Sequence, residues 1–416
     1  MKIRIITFFL TVLCIGINAQ KELEAIDSLI EIGRYKKALH QLANLSESFK
    51  KNYKIASIYE ALDNNREASN YFKKALNIND DYKTKIKLGN SLLKEKKTSE
   101  VVKLYEEICH NDPENLIAKY TLGKLYLQVN QYTKAKMIFG ELISNDDENA
   151  NYYYQYALAN PQPKKIFKRI DYYLLAYKKD NNHFNAIEKL ARSFTIIKDR
   201  DSALVFINKG LQLNPNHIDL NRLKINSLFR NKKYDESITL LKHIDTIQPD
   251  EHYTHKMLGR CYFNLEDYDL AEKHFQQASR LDIDDFKSMI YLGDIAMQQK
   301  KTKMAMFYYM SGTTKGKQKR DKAYMGLANV FSEMKMPKNV LESYKSAVEE
   351  NPKNYKALFA YAQQSDNYYK DKAIGYKLYK RYEEKFQGKD TLTDKFVKAR
   401  LKEIKKEYFL KGEILE

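Results

Sequence analysis

Small and large apolar residues alternate along this chain at a fixed long interval. The pairs Leu88-Gly89, Leu122-Gly123, Leu258-Gly259 and Leu292-Gly293 lie 34, 136 and 34 residues apart, so the period is 34. At the glycine slot stand Ala56, Gly89, Gly123, Ala157, Ala191, Gly259, Gly293, Ala328 and Ala362, with Ile26 and Ile225 as exceptions. Twelve residues on comes a second small slot: Ala38, Ala68, Val101, Ala135, Ala203, Ser237, Ala271, Ala305 and Val340, broken by Arg169 and Ile374. Four further on a large apolar residue recurs without exception: Leu42, Phe72, Tyr105, Phe139, Tyr173, Ile207, Leu241, Phe275, Tyr309, Tyr344 and Leu378. Positions four apart share one face of an α-helix. Each unit therefore predicts a helix A with the first small residue, a turn, and a helix B with the second small residue and the large one. Pro113, Pro215, Pro249 and Pro352 fall eight residues beyond the large position, where a helix must already have ended. Turn punctuation stands between A and B, as in Gly33-Arg34, Asn64-Asn65, Asn130-Gln131 and Asn231-Lys232. A single hairpin cannot bury its apolar face, so stability has to come from stacking on its neighbours.

These slots resemble the tetratricopeptide repeat, a 34-residue helix–turn–helix unit. Leu258-Gly259, Tyr262, Ala271, Phe275 and Ala278 give the closest single match. The resemblance implies an all-α, right-handed superhelical solenoid of about eleven repeats over residues 20–390, the first and fifth irregular. A C-terminal amphipathic capping helix is expected over 391–416. Its stripe of Val397, Leu401, Ile404 and Tyr408 covers the end of the last repeat, with a dimerising coiled coil as the alternative. In the fifth repeat Asn160-Pro161-Gln162-Pro163 stands where helix A should finish and Arg169 fills a small slot, which predicts a longer turn.

Composition changes this picture at the N-terminus. Lys2 and Arg4 precede an apolar run from Ile5 to Ile17, and polarity returns at Asn18-Ala19-Gln20. That is the layout of a secretory signal peptide over 1–19, since a thirteen-residue helix spans only about 20 Å. Export to a bacterial periplasm or beyond the cell is the expectation. The formal charge is +18, and +16 once Lys2 and Arg4 leave with the leader. Such a balance fits acidic protein, nucleic acid or anionic lipid partners, and it also fits a composition rich in Lys, Asn, Ile and Tyr.

Catalytic motifs are missing from the sequence: no phosphate loop, no nucleophile elbow, no metalloprotease His pair and no Cys-x-x-Cys. The reading is a non-catalytic chain with no cofactor and no metal. His243, His252, His255 and His274 lie within one stretch; His252 and His255, three apart, share a helix face, but His255 falls on a packing slot and the others belong to different helices. Cys109 and Cys261 are too far apart in an array to form a disulfide. The basic run Lys315-Gly316-Lys317-Gln318-Lys319-Arg320 is expected as a solvated loop, or as a contact for anionic headgroups. Of the many tyrosines in the fifth repeat, one or two are expected to be exposed, Tyr154 first among them.

In the family that these repeats resemble, slots two, five, nine, twelve and thirteen of helix A line a concave groove. In repeats six to eight they hold Arg192, Asp219, Arg222, Asn226, Phe229, Arg230, Tyr253, Lys256, Arg260 and Phe263. Arg222 and Asn226 match the cation and amide with which some members clamp a terminal carboxylate, and Lys287 matches a second cation. Met257 and Tyr291 depart from that clamp. What the resemblance implies is a scaffold that binds an extended, acidic protein segment in a basic groove with aromatic faces. Nucleic-acid binding and a glycan-associated envelope role are the alternatives.

Overall fold

The computed structural model describes residues 23–314, 319–411, 413 and 415, and its main elements are all helical. The predicted leader, 1–19, and Lys315 to Gln318 of the basic run lie outside the described residues. Helices A and B of repeats one to five run 23–31 and Tyr35–Ala43, Phe49–Ala61 and Asn65–Leu76, Tyr82–Lys94 and Thr98–Asn111, Leu116–Gln128 and Tyr132–Asn145, then Ala150–Leu158 and Ile166–Lys179. Those of repeats six to eight are Phe184–Ile197 and Arg200–Leu213, Ile218–Arg230 and Tyr234–Ile247, His252–Asn264 and Tyr268–Leu281. Repeats nine to eleven follow as Phe286–Gln298 and Thr302–Thr314, Asp321–Glu333 and Pro337–Glu350, Tyr355–Tyr368 and Ala373–Phe386, and a last helix is Thr391–Leu410. The helices divide into two compact units between Phe206 and Ile207, inside helix B of repeat six.

Within each unit the two residue sizes meet as the pattern predicts. A Cβ placed on Gly123 would lie 2.6 Å from the Phe139 ring, and one on Gly259 2.9 Å from Phe275. Both phenylalanines are fully buried. Helix B approaches helix A closely because nothing larger than hydrogen stands between backbone and ring. In the second unit Tyr309 is gripped from two sides: a Cβ on Gly293 would come to 2.5 Å of it, and one on Gly326 of the next repeat to 2.4 Å.

Turn and cap chemistry repeats with the same period. Gly33, Asp63, Lys96, Asn130, Lys198, Lys232, Glu266, Lys300 and Lys335 each carry a left-handed backbone in an A-to-B turn. Only the first of these is glycine, so the others hold a conformation that costs a side chain about 1 kcal/mol. Ser48, Asn64, Asp81 and Asn115 accept backbone N–H groups at the starts of their helices.

Repeat five departs as its sequence indicates. Between its helices lies a 3-10 turn, Pro163–Lys165. Arg169, too large for its slot, turns out to the loop, and its Nη1 donates to the carbonyls of Asn160 at 2.9 Å and Gln162 at 2.8 Å. The tyrosine expectation needs correcting. Tyr154 is half-buried, 5.8 Å from the Tyr173 ring and 5.2 Å from His183, and burial pushes its hydroxyl pKa up. Tyr152 and Tyr153 beside it are buried.

In the last helix Val397, Leu401 and Ile404 are buried with Tyr376, Tyr379 and Tyr382 of repeat eleven. Arg400 grips the buried Asp366 with two bonds, Nε to Oδ2 at 2.7 Å and Nη2 to Oδ1 at 3.0 Å. Among the described residues no helix is long and apolar enough to cross a membrane.

Candidate functional site

The predicted groove residues of the second unit lie on its A helices but do not act as one set. Arg222 is already engaged: its Nη2 bonds Glu251, its Nη1 lies 3.3 Å from Asp219, and its guanidinium stands 5.3 Å over the Tyr253 ring. Burial pushes the Tyr253 hydroxyl up to about 12. The Nε of Arg230 donates to the carbonyl of Asn226 on its own helix at 3.2 Å. Arg260 spans one repeat to lie 4.3 Å over Phe229, and Phe263 meets Tyr291 edge-on at 5.2 Å. Lys256 is paired with Asp285 at 2.5 Å, and the same carboxylate takes His252 at 2.8 Å. Burial pushes the Asp285 carboxyl up, but bonds from Lys256, Ser288 and His252 outweigh it and hold the group below the ordinary carboxylate range. Lys287 is exposed, with Phe286 5.9 Å beneath it. Arg192 belongs to the first unit, where its Nε bonds Glu188 at 2.6 Å.

A cavity of about 770 Å³ opens further along the same face, over repeats eight to ten. Lys256, Arg260 and Lys287 of the predicted set line it, joined by Phe286, Ile290, Tyr291, Asp294, Lys319, Asp321 and Lys322. Phe286 and Ile290 are buried and form its floor, while Lys287, Lys319 and Lys322 are exposed at its rim. Asp294 is half-buried, and Tyr309, wedged between two glycines, donates its hydroxyl to Asp294 Oδ1 at 2.6 Å. Burial pushes the Asp294 carboxyl up, against the Tyr309 bond and Lys322. Asp321 is occupied by Asn351 at 3.1 Å and Asn354 at 2.6 Å. Lys319 reaches the side-chain oxygen of Asn351 at 3.1 Å. Among the described residues Arg260, Lys287, Lys319 and Lys322 have no carboxylate bonded to them.

The cavity lies further along the chain than the expected set of repeats six to eight. Ile290 and Asp294 are slots five and nine of repeat nine, and Lys322 is slot two of repeat ten, so extending the same ruler finds them. Glu251 was missed because its partner Arg222 is a full repeat away.

The clustered histidines separate into distinct environments. His243 bonds Asn216 at 3.1 Å and His252 bonds Asp285. His255 and His274 share a contact between their Nδ1 atoms at 3.1 Å, with Tyr262 stacked on His274. Both described cysteines are free thiols, and burial pushes Cys109 up to about 11 and Cys261 up to about 12.

Three stretches, 52–82, 117–149 and 252–285, match the tetratricopeptide repeat family. The chain carries tetratricopeptide repeats. Over 201 residues, 48% of this chain, it is 26% identical to the Hsp70-Hsp90 organising protein of Plasmodium falciparum (isolate 3D7) and spans 29% of that protein's length. The crystal structure of the anaphase-promoting-complex hetero-tetramer Cut9-Hcn1 is similar over 90% of this chain and 82% of its own, with 12% identity and a TM-score of 0.45. Yeast Tom70 is similar over 94% of this chain and 96% of its own, with 12% identity and a TM-score of 0.44. A tetratricopeptide array is the fold of a protein-interaction scaffold.

Proposed function

We propose that this chain is an exported, non-catalytic scaffold that captures an extended acidic protein segment on the helix-A face of repeats eight to ten. The observation that carries the reading is the cavity rim. Lys287, Lys319 and Lys322 at the rim and Arg260 beside it hold no bonded carboxylate among the described residues, around the buried apolar side chains of Phe286 and Ile290. A concave, low-dielectric wall also focuses the field of these charges and speeds capture. The relative from P. falciparum is by name an organiser of two other proteins, which supports a protein as partner. Export rests on the basic start, the apolar run and Ala19.

The test is titration of an acidic peptide into the wild-type chain and into a Lys287→Glu/Lys322→Glu variant at low and moderate salt. The reading expects binding by the wild type that weakens with salt and falls at least about tenfold in the variant. Equal affinity at low salt would remove it.

A further inference from the structure

The last helix, Thr391–Leu410, has two unlike faces. Its inner stripe of Val397, Leu401 and Ile404 is buried on repeat eleven, and Arg400 fastens it there through two bonds to the buried Asp366. The stripe that a coiled coil would use is thus already covered. On the outer side Lys395, Lys398, Lys402, Lys405 and Lys406 are exposed, and among the described residues none of them is paired with a carboxylate. The acidic residues between them turn aside: Glu403 and Glu407 reach Arg400 at 3.0 Å and 3.6 Å. Lys398, Lys402 and Lys406 follow at intervals of four, so like charges stack along one face and weaken the helix that carries them. Four residues further that row reaches Leu410, 73% exposed, with Phe409 beside it at 80%.

We propose that the outer face of this helix docks on an anionic lipid bilayer, with the lysines on the headgroups and Phe409 and Leu410 set into the acyl boundary. A nucleic acid would satisfy the lysines and leave the apolar pair in water, whereas a charged membrane surface satisfies both. From Lys395 to Lys406 the row runs about 16 Å along the helix, so one bilayer plane can meet all of it. Because the inner face is already anchored, the helix needs no folding on contact. This surface shares no residue with the cavity of repeats eight to ten and stands whether or not that cavity takes a peptide.

The test uses the whole chain with two kinds of vesicle, phosphatidylcholine alone and phosphatidylcholine with about 30% phosphatidylglycerol. The wild type is expected to prefer the anionic vesicle by at least about a hundredfold, and Lys398→Gln/Lys402→Gln/Lys406→Gln to lower that preference at least about thirtyfold. Phe409→Ser/Leu410→Ser is expected to weaken anionic binding about tenfold or more. The apolar run at residues 5–17 is common to every variant, so differences between variants report the last helix. On the unaltered chain, anionic vesicles are expected to slow acetylation of Lys398, Lys402 and Lys406 more than that of the other exposed lysines. Equal affinity for the two vesicles, unchanged anionic binding in either variant, or no selective slowing of acetylation would overturn the assignment. So would an oligothymidylate that displaces the vesicles and binds the Phe409/Leu410 variant as well as the wild type, or a wild-type dimer that this variant separates and that ignores vesicles.

Discussion

Several lysines on the A helices of the first unit pair with carboxylates of the chain itself, whereas beside the cavity of the second Lys256 pairs with Asp285, and Lys287, Lys319 and Lys322 bond no carboxylate among the described residues. In the first unit Lys54 bonds Asp27, Lys87 reaches Glu60 at 2.9 Å, Lys85 lies between Asp80 at 2.6 Å and Glu107 at 2.8 Å, and Lys119 bonds Glu141. The partners are mostly one helix or one repeat away, so these charges staple neighbouring hairpins. Slot five of the A helix in repeats two to six of the same unit is Tyr53, Ile86, Tyr120, Tyr154 and Glu188, against Arg222, Lys256, Ile290, Met325 and Phe359 in the second. A formal charge of +18 is therefore a poor guide to where a partner binds. What matters is which cations have been left without a carboxylate.

The sharpest way to break that contrast is to remove the packing that shapes the cavity. Gly326→Leu drives a side chain into Tyr309, and overpacking of that kind costs about 1–3 kcal/mol or more. It is expected to lower the unfolding transition seen by circular dichroism and to abolish peptide capture. Lys87→Gln in the first unit sets a control for the cavity double variant. A partly exposed pair contributes about 0–1 kcal/mol, so Lys87→Gln is expected to leave peptide affinity within about twofold and thermal stability almost unchanged.

A smaller effect concerns acid. Burial and then the neighbouring His255 lower His274 from 6.5 to about 4, so the neutral ring is the folded form. Its contribution is complete above pH 6.5 and is lost as pH falls from there through about 4, because the unfolded chain takes up the proton first. His274→Gln is expected to flatten the pH dependence of amide exchange in repeat eight across that window; an unaltered profile would contradict the assignment. An effect of opposite sign is expected at a turn. Lys300→Gly relieves a left-handed side-chain residue at a site where glycine is at ease, and is expected to raise the unfolding transition by an amount worth up to about 1 kcal/mol.

The hairpins were legible because steric size is written locally. Gly123 and Phe139, or Gly293 and Tyr309, announce a close approach through spacing alone, and the structure places them in contact. Arg169 was legible as an anomaly, and its role appeared only when its guanidinium was seen tying the Asn160 and Gln162 carbonyls. The binding face was harder. One sequence position cannot report whether a cation is paired, since the answer lies about one repeat away: Arg222 had the right residue type and slot, and Glu251 neutralises it. Asp294 stands on slot nine of repeat nine and is found by the same ruler, but its bond to Tyr309 of the partner helix is not written there. Tyr154 was misjudged because periodicity marks a face without saying which aromatic neighbour covers it.

Cross-linking maps a partner without assuming any residue. An acidic peptide carrying a photoreactive phenylalanine at its centre, irradiated on the intact chain, is expected to label the A helices of repeats eight to ten, between His252 and Glu333. Labelling concentrated instead on the A helices of repeats two to four, between Phe49 and Gln128, would contradict the claim that unpaired cations mark the working face.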